Sequence, residues 1–171
     1  MEIRPSTLDR SARIGDESAA EFARLMRSRG WKVRESTPEQ DRLQHIDFIC
    51  ERGASHYLID VKGRKASSDT HILIELRGIT GRAGSLFGAG YLAFHTKNEF
   101  LLVARAALFP VVKNMLGFSV SFKGGFSISL TEKWTTAQPA VAPHIYRRPD
   151  RPLEMVTFLP VENVRALAVP F

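Results

Sequence analysis

The sequence has very little cysteine and no long apolar run, and each lack excludes a class of protein. Cys50 is the single cysteine among 171 residues, so the chain cannot close an internal disulfide or build a zinc site from several thiolates. We expect this thiol to be a buried small hydrophobe. No stretch approaches the roughly 20 apolar residues that cross a bilayer, and the first residues lack the apolar segment of a signal peptide. We therefore expect a soluble, cytoplasmic protein with no membrane partner.

The charge balance is basic, and the length suits one domain. Lys and Arg number 24 against 18 Asp and Glu, a net charge of +6, which is typical of proteins that face phosphates. These cations are scattered, so the charge alone is weak evidence for nucleic acid. With 44% hydrophobic residues the chain can bury one sizeable core but is short for two. We expect a single domain over residues 1–171.

Hydrophobic periodicity predicts a helix followed by several strands. Apolar residues between Ser11 and Arg29 recur at three- and four-residue spacing, which indicates an amphipathic helix. The polar stretch 36–44 is predicted as a loop, and 106–116 as a helix with Pro110 near its first turn. Short β-rich runs predict strands at 31–33, 46–51, 56–62, 72–76, 91–94 and 100–104.

The C-terminal part, 118–171, is predicted to be a β-rich extension. Alternating apolar residues on either side of 123–125 predict a hairpin with both apolar sets on one face. The proline-rich stretch 135–152 is predicted to be irregular, and 155–159 to be a last edge strand.

Two of the predicted strands bring acidic residues together. If 46–51 and 56–62 form an antiparallel hairpin, with the last residue of the first opposite the first of the second, Asp47 falls opposite Asp60. Directly opposed residues project from one face with Cβ atoms roughly 5 Å apart. Two carboxylates so placed repel each other unless a positive charge lies between them, and a divalent cation fits that need.

Side-chain alternation adds a lysine to the same face. Lys62 lies two residues after Asp60, whereas Ile59 and Val61 point to the other face. Magnesium prefers carboxylate oxygens and suits phosphodiester hydrolysis, in which Lys62 would assist the attacking water or the leaving group. The alternative is a surface hairpin on which Lys62 merely neutralises two acids.

The segment His45-Ile46-Asp47-Phe48, followed by Leu58-Ile59-Asp60-Val61-Lys62-Gly63, resembles the bipartite motif of the PD-(D/E)XK nuclease superfamily. The order of helix, strand, acidic strand and D-x-K strand also matches over about 11–105, although isoleucine stands where the motif has its proline. The resemblance implies an α/β fold with a central mixed sheet flanked by helices, a restriction-endonuclease-like core. It also implies hydrolysis of DNA with one or two Mg²⁺ or Mn²⁺ ions, with Asp47, Asp60 and Val61 as metal ligands.

Members of the superfamily also carry an acid on the preceding helix. Glu17 and Glu21 are the candidates here; they are one turn apart and can share a face. Glu21 lies nearer the apolar stripe, and the surroundings of Glu17 resemble the usual motif. Either of them could instead be a solvated helix carboxylate, so both remain candidates.

Further residues are candidates for contacts with DNA. His45 would lie across from Lys62 and contact a phosphate or water, or serve a purely structural role. Arg64 and Lys65 follow the D-x-K strand and would hold the DNA backbone, unless they are solvated loop cations. Arg82 lies in the glycine-rich segment 77–90, which we interpret as turns around a substrate groove.

We therefore expect a divalent-metal-dependent DNA endonuclease, similar to restriction endonucleases, Holliday-junction resolvases or phage recombination nucleases, acting as a homodimer. Two alternatives stay open. One is a catalytically silent nucleic-acid-binding module, and the other is a ribonuclease of the same fold.

Overall fold

The chain folds around a mixed sheet, in a computed structural model that describes residues 7–65, 67–88, 90–130 and 145–171. The helices are α1 (Thr7–Ser28), α2 (Pro38–Gln44), α3 (Arg105–Leu116) and α4 (Val161–Arg165), with a 3₁₀ turn at Ser85–Phe87. The strands are β1 (Lys32–Glu35), β2 (Phe48–Arg52), β3 (Ser55–Lys62), β4 (His71–Arg77), β5 (Tyr91–His95), β6 (Phe100–Ala104), β7 (Phe118–Ser121), β8 (Ser127–Leu130), β9 (Ile145–Arg148) and β10 (Arg151–Pro160).

The main sheet has five strands in the order β1-β2-β3-β5-β6. Strands β3 and β5 are parallel, and the other neighbouring pairs are antiparallel. Strands β4, β10 and β9 form a second sheet, and β7 pairs with β8. The prediction of an α/β fold with a mixed sheet and helices is therefore confirmed at this level.

The two faces of the main sheet bury different layers. On one face, Phe22 and Met26 of α1 pack in a cluster with Ile59 and Val61 of β3. On the other, the cluster contains Leu92 and Phe94 of β5 together with apolar residues of β4, β10, α3 and α4. The main sheet thus lies between α1 and a layer built from the second sheet and α3.

Helix α2 corrects the prediction of a loop over 36–44. Thr37 caps it: its side chain accepts from the backbone N–H of Gln40, whose own side chain accepts from the N–H of Thr37. Pro38 occupies the first turn, where its missing N–H costs little. None of its residues is buried, so the helix has no apolar periodicity, and only the Thr-x-x-Gln capping box signals it.

Three further differences concern α3 and the C-terminal part. Pro110 is the sixth residue of α3 and lies inside the helix, in its second turn and not near the first as predicted. Ile145–Arg148, within the stretch predicted to be irregular, is strand β9; residues 135–144 of that stretch lie outside the described residues. Strand β10 is the centre of the second sheet rather than an edge, because β9 pairs with its outer side.

Other predictions hold. The β7–β8 hairpin has the predicted register, with Phe118 opposite Leu130 and Val120 opposite Ile128. Helix α1 begins earlier than the predicted 11–29 and ends at Ser28, one residue before the predicted end. No helix in the described ranges is long and apolar enough to span a membrane.

Candidate active site

The β2–β3 hairpin has the register that the sequence predicts. Phe48 pairs with Ile59 and Glu51 with His56, and the paired residues of β2 begin at Phe48, one residue after Asp47. The backbone N–H of Asp47 donates to the carbonyl of Ile59 at 2.8 Å, whereas the continued register would pair Asp47 with Asp60, so the ladder is irregular at this residue. The turn is shorter than predicted, because Arg52 already pairs with Ser55.

Asp60 and Lys62 lie together on the face of the sheet away from α1. Their neighbours on β5 are Leu92 and Phe94, which belong to the core on that face. Lys62 Nζ lies 2.9 Å from Asp60 Oδ1, with the Asp60 side chain 6% exposed and that of Lys62 33% exposed. The predicted juxtaposition of this carboxylate and ammonium is therefore present.

Arg105, the first residue of α3, is a third member of this group that sequence reasoning missed. Its Nη2 lies 2.8 Å from Asp60 Oδ2 and also donates to the carbonyl of His45 at 2.9 Å. Its Nε donates to the carbonyl of Ser85 at 2.6 Å. Burial lowers the pKa of Arg105, and attraction to Asp60 opposes that change. The available signal was a cation inside the apolar run 100–109.

The surroundings of Asp47 disfavour its charged form. Its Oδ2 accepts a hydrogen bond from the backbone N–H of Val61 at 2.6 Å. Burial and, next in size, repulsion by Asp60 raise the pKa of Asp47 to about 6, although the hydrogen bond and Lys62 oppose the change. The two acids are therefore close enough for their charges to interact.

A cleft of about 360 Å³ opens beside Lys62. Glu75 of β4 lines it, and its Oε1 accepts from the N–H of Ser85 at 3.1 Å. Glu154 of β10, also in the lining, is 6% exposed and lies 3.4 Å from Arg151. Burial alone would lower the pKa of Lys62, but attraction to Asp60 and Glu75 outweighs it, so the pKa is raised.

The two candidate acids of α1 have different surroundings. Glu17 is exposed, and its Oε1 lies 3.6 Å from Arg13 Nε in solvent. Glu21 Oε2 lies 3.7 Å from His95 Nε2, and His95 Nδ1 lies 2.8 Å from Ser18 Oγ. His95 lines the same cleft as Lys62. Among the described contacts, neither acid touches Asp47 or Asp60.

The residues predicted to contact DNA have different surroundings in the structure. Lys65 lines the cleft beside Lys62, and Arg64 forms an ion pair with Asp69 at 3.3 Å. His45 supports the site from within: its Nε2 lies 3.0 Å from the carbonyl of Ala83 and its backbone is left-handed, with φ of 52°. Arg82 is exposed in the turn after β4.

No family model, curated protein or solved structure matches this chain. The interpretation of the site therefore depends on its own residues.

The candidate metal ligands are all oxygen atoms. Asp47 and Asp60 would supply carboxylate oxygens and Val61 a backbone carbonyl, which are the hard donors that Mg²⁺ prefers. Within the described ranges, no three His, Cys, Asp or Glu side chains come close enough to form a metal-binding cluster. Mg²⁺ is commonly held by one or two carboxylates and keeps several waters, and two carboxylates are what Asp47 and Asp60 would offer it.

Proposed function

We propose that this protein is a divalent-metal-dependent nuclease that hydrolyses phosphodiester bonds in DNA, of the kind the PD-(D/E)XK resemblance implies. One observation carries the proposal: Asp47 Oδ2 accepts from the N–H of Val61 at 2.6 Å, next in sequence to Asp60, and Lys62 Nζ lies 2.9 Å from Asp60 Oδ1. The preceding helix and strand, α1 and β1, stand in the order of that motif. These features support the assignment of the catalytic group to Asp47, Asp60 and Lys62.

The chemistry divides between a bound ion and the chain's own groups. When bound by Asp47, Asp60 and the Val61 carbonyl, Mg²⁺ or Mn²⁺ supplies Lewis acidity and an acidified water. Lys62 remains an ammonium, since attraction to Asp60 and Glu75 raises its pKa, and it faces the developing charge on the phosphate or leaving oxygen.

Arg105 would not touch the substrate in this proposal; it holds Asp60, which would bind the metal ion. Its three contacts, with Asp60, His45 and Ser85, fix the Asp60 carboxylate relative to the loop before β2 and the turn before β5. A catalytic carboxylate must be held close to its productive geometry for efficient catalysis. Arg105 is therefore a positioning residue in this proposal.

The proposed substrate and assembly follow from charge and from the resemblance. Arg64 and Lys65 lie two and three residues after the end of β3, and the chain carries a net charge of +6, which favours a phosphate backbone. A homodimer acting in the cytoplasm stays part of this proposal.

A second candidate is a nucleic-acid-binding module that does not cut. One observation favours it: both carboxylate oxygens of Asp60 already contact cations, Lys62 and Arg105, so the group is electrostatically satisfied in the described structure. RNA hydrolysis uses the same chemistry and is distinguished by substrate alone.

The test is a cleavage panel. Purified protein is incubated with supercoiled plasmid, linear duplex, single strands, a four-way junction and RNA, in Mg²⁺, Mn²⁺ or EDTA. Asp47→Asn, which keeps the shape of the side chain, is compared with Asp16→Asn on the exposed side of α1. The proposal predicts metal-dependent cleavage of DNA by wild type and Asp16→Asn only. Binding without cleavage of any substrate would favour the silent module, and cleavage of RNA alone would favour the ribonuclease.

A further inference from the structure

The cleft beside Lys62 has the size of one nucleotide. Its volume of about 360 Å³ lies near the lower end of the roughly 300–1,000 Å³ that small-molecule sites occupy. The end of β3, strand β4 and strand β10 bound it, through Lys62, Glu75 and Glu154. A continuous duplex is far too wide for such a space, whereas a single base with its phosphate is not.

The lining offers separate groups for a phosphate and for a base. Lys62, Lys65 and Arg151 are the cations of the cleft. Leu73 is half-buried and Ile79 is 49% exposed, and both present apolar surface in the lining. A nucleotide needs this combination, because its phosphate is anionic and its base is flat and largely apolar on its faces.

Glu75 adds an acceptor for the edge of a base. The N–H of Ser85 holds its Oε1 at 3.1 Å, so the carboxylate has a defined position within the lining. Carboxylates accept hydrogen bonds from exocyclic amino groups such as that of cytosine. Thymine lacks an amino group, so the cleft favours bases that carry one.

We propose that this cleft receives one unpaired nucleotide beside the scissile phosphate, so that the substrate class is single-stranded or locally unpaired nucleic acid. The inference rests on the proposed nuclease function, since Lys62 belongs to both the catalytic group and the lining. A base inside a duplex reaches the cleft only by leaving its stack, at a cost of a few kcal/mol that an unpaired nucleotide avoids. Continuous duplex is therefore the poorer substrate.

Ile79 offers a way to close the cleft without touching the catalytic group. It lines the cleft and is 49% exposed, so Ile79→Trp adds bulk at the mouth with little burden on folding. Ile79→Ala removes bulk at the same place. Leu43→Trp on α2, at a position 55% exposed and outside the lining, is the matched control.

The first arm measures binding of 2-aminopurine deoxyribonucleoside monophosphate by its fluorescence, in EDTA and without cleavage. We expect saturable binding by wild type, Ile79→Ala and Leu43→Trp, and affinity weaker by about tenfold or more in Ile79→Trp. We expect Glu75→Gln to lower the affinity for this nucleotide more than it lowers the affinity for thymidine monophosphate. Equal affinity in all variants, or no binding by wild type, would overturn the inference.

The second arm compares cleavage of a single strand with that of the same sequence as continuous duplex, in Mg²⁺. We expect the single strand to be cut faster by wild type and the difference to shrink in Ile79→Trp. Two results together would overturn the cleft inference: equal metal-dependent cutting of both substrates, and unaltered nucleotide binding by Ile79→Trp. They would leave the proposed nuclease function standing. Nucleotide binding that Ile79→Trp abolishes, with no cleavage of any substrate, would support the cleft as a nucleotide site and reject the nuclease.

Discussion

Arg105 Nη2 lies 2.8 Å from Asp60 Oδ2, and the two side chains are 3% and 6% exposed. This pair joins the first residue of α3 to β3, the central strand of the main sheet. The proposed catalytic group lies at this place. The partners differ in their other contacts. Asp60 also holds Lys62, and Arg105 also holds the backbone at His45 and Ser85.

Breaking this pair on one side should destabilise the fold. Asp60→Asn leaves the buried guanidinium without its counter-charge, which typically costs about 3–5 kcal/mol of unfolding free energy. The double variant Asp60→Leu with Arg105→Met removes both charges, so it should recover most of that loss while remaining inactive. Urea denaturation measures both values. Asp69→Asn, which breaks the exposed pair with Arg64, should change stability by less than about 1 kcal/mol, and a similar loss there would contradict the account.

The pKa of Asp47 predicts how stability depends on pH. Because the pKa in the folded state is about 6 rather than 3.8, the native state binds this proton more tightly than the unfolded state. The stabilisation is full below about pH 4 and is lost as pH rises through 6. The free energy of unfolding of wild type relative to Asp47→Asn, measured in EDTA, should therefore fall between these values by an amount on the order of 2 kcal/mol. A difference that is flat or rises with pH would contradict the assignment.

The surroundings of the two helical acids predict unequal effects on cleavage. Glu21 lies 3.7 Å from His95, which lines the cleft with Lys62, whereas Glu17 pairs with Arg13 in solvent. Glu21→Gln should therefore slow cleavage by about tenfold, in the range of a lost electrostatic contact, and Glu17→Gln should leave the rate near that of wild type. Single-turnover rates with saturating protein distinguish the two. The opposite ranking would identify Glu17 as the functional acid.

Close packing of α1 on the end of β3 predicts opposite effects at two glycines. A Cβ at Gly63 would lie 3.2 Å from Gly15 Cα, whereas a Cβ at Gly15 would have nothing within 4 Å. Gly63→Ala should lower the free energy of unfolding by about 1 kcal/mol or more, and Gly15→Ala should raise it by about 0.5–1 kcal/mol because alanine favours a helix. Thermal and urea denaturation measure both changes. Destabilisation by Gly15→Ala alone would contradict this packing.

The hairpin register was predictable because its determinants are local. Strand alternation fixes which residues share a face, and the short turn fixes which residues oppose each other. The pairing of residues 48–51 with residues 56–59 therefore followed from the sequence without any knowledge of the remaining fold, whereas the irregular step at Asp47 did not. The same logic gave the register of the β7–β8 hairpin.

The remaining site groups come from elements distant in sequence. Arg105 reaches Asp60 across 45 residues, and Glu75 and Glu154 meet only because β4 pairs with β10. No local sequence pattern predicts pairing between distant strands. The one available signal was a charged residue inside an apolar run. Helix α2 was missed for the opposite reason, since it buries none of its residues.

The most direct test of the account is the initial rate of DNA cleavage in Mg²⁺ by wild type, Lys62→Ala and Lys113→Ala, with EDTA as the metal-free reference. Lys113 is an exposed lysine of α3 and controls for loss of one positive charge. The account predicts that Lys62→Ala lowers the rate by about a hundredfold or more, that Lys113→Ala cuts like wild type, and that EDTA abolishes cleavage by all three. Equal, EDTA-resistant cutting by wild type and Lys62→Ala would contradict the assignment of Asp47, Asp60 and Lys62 as the catalytic group.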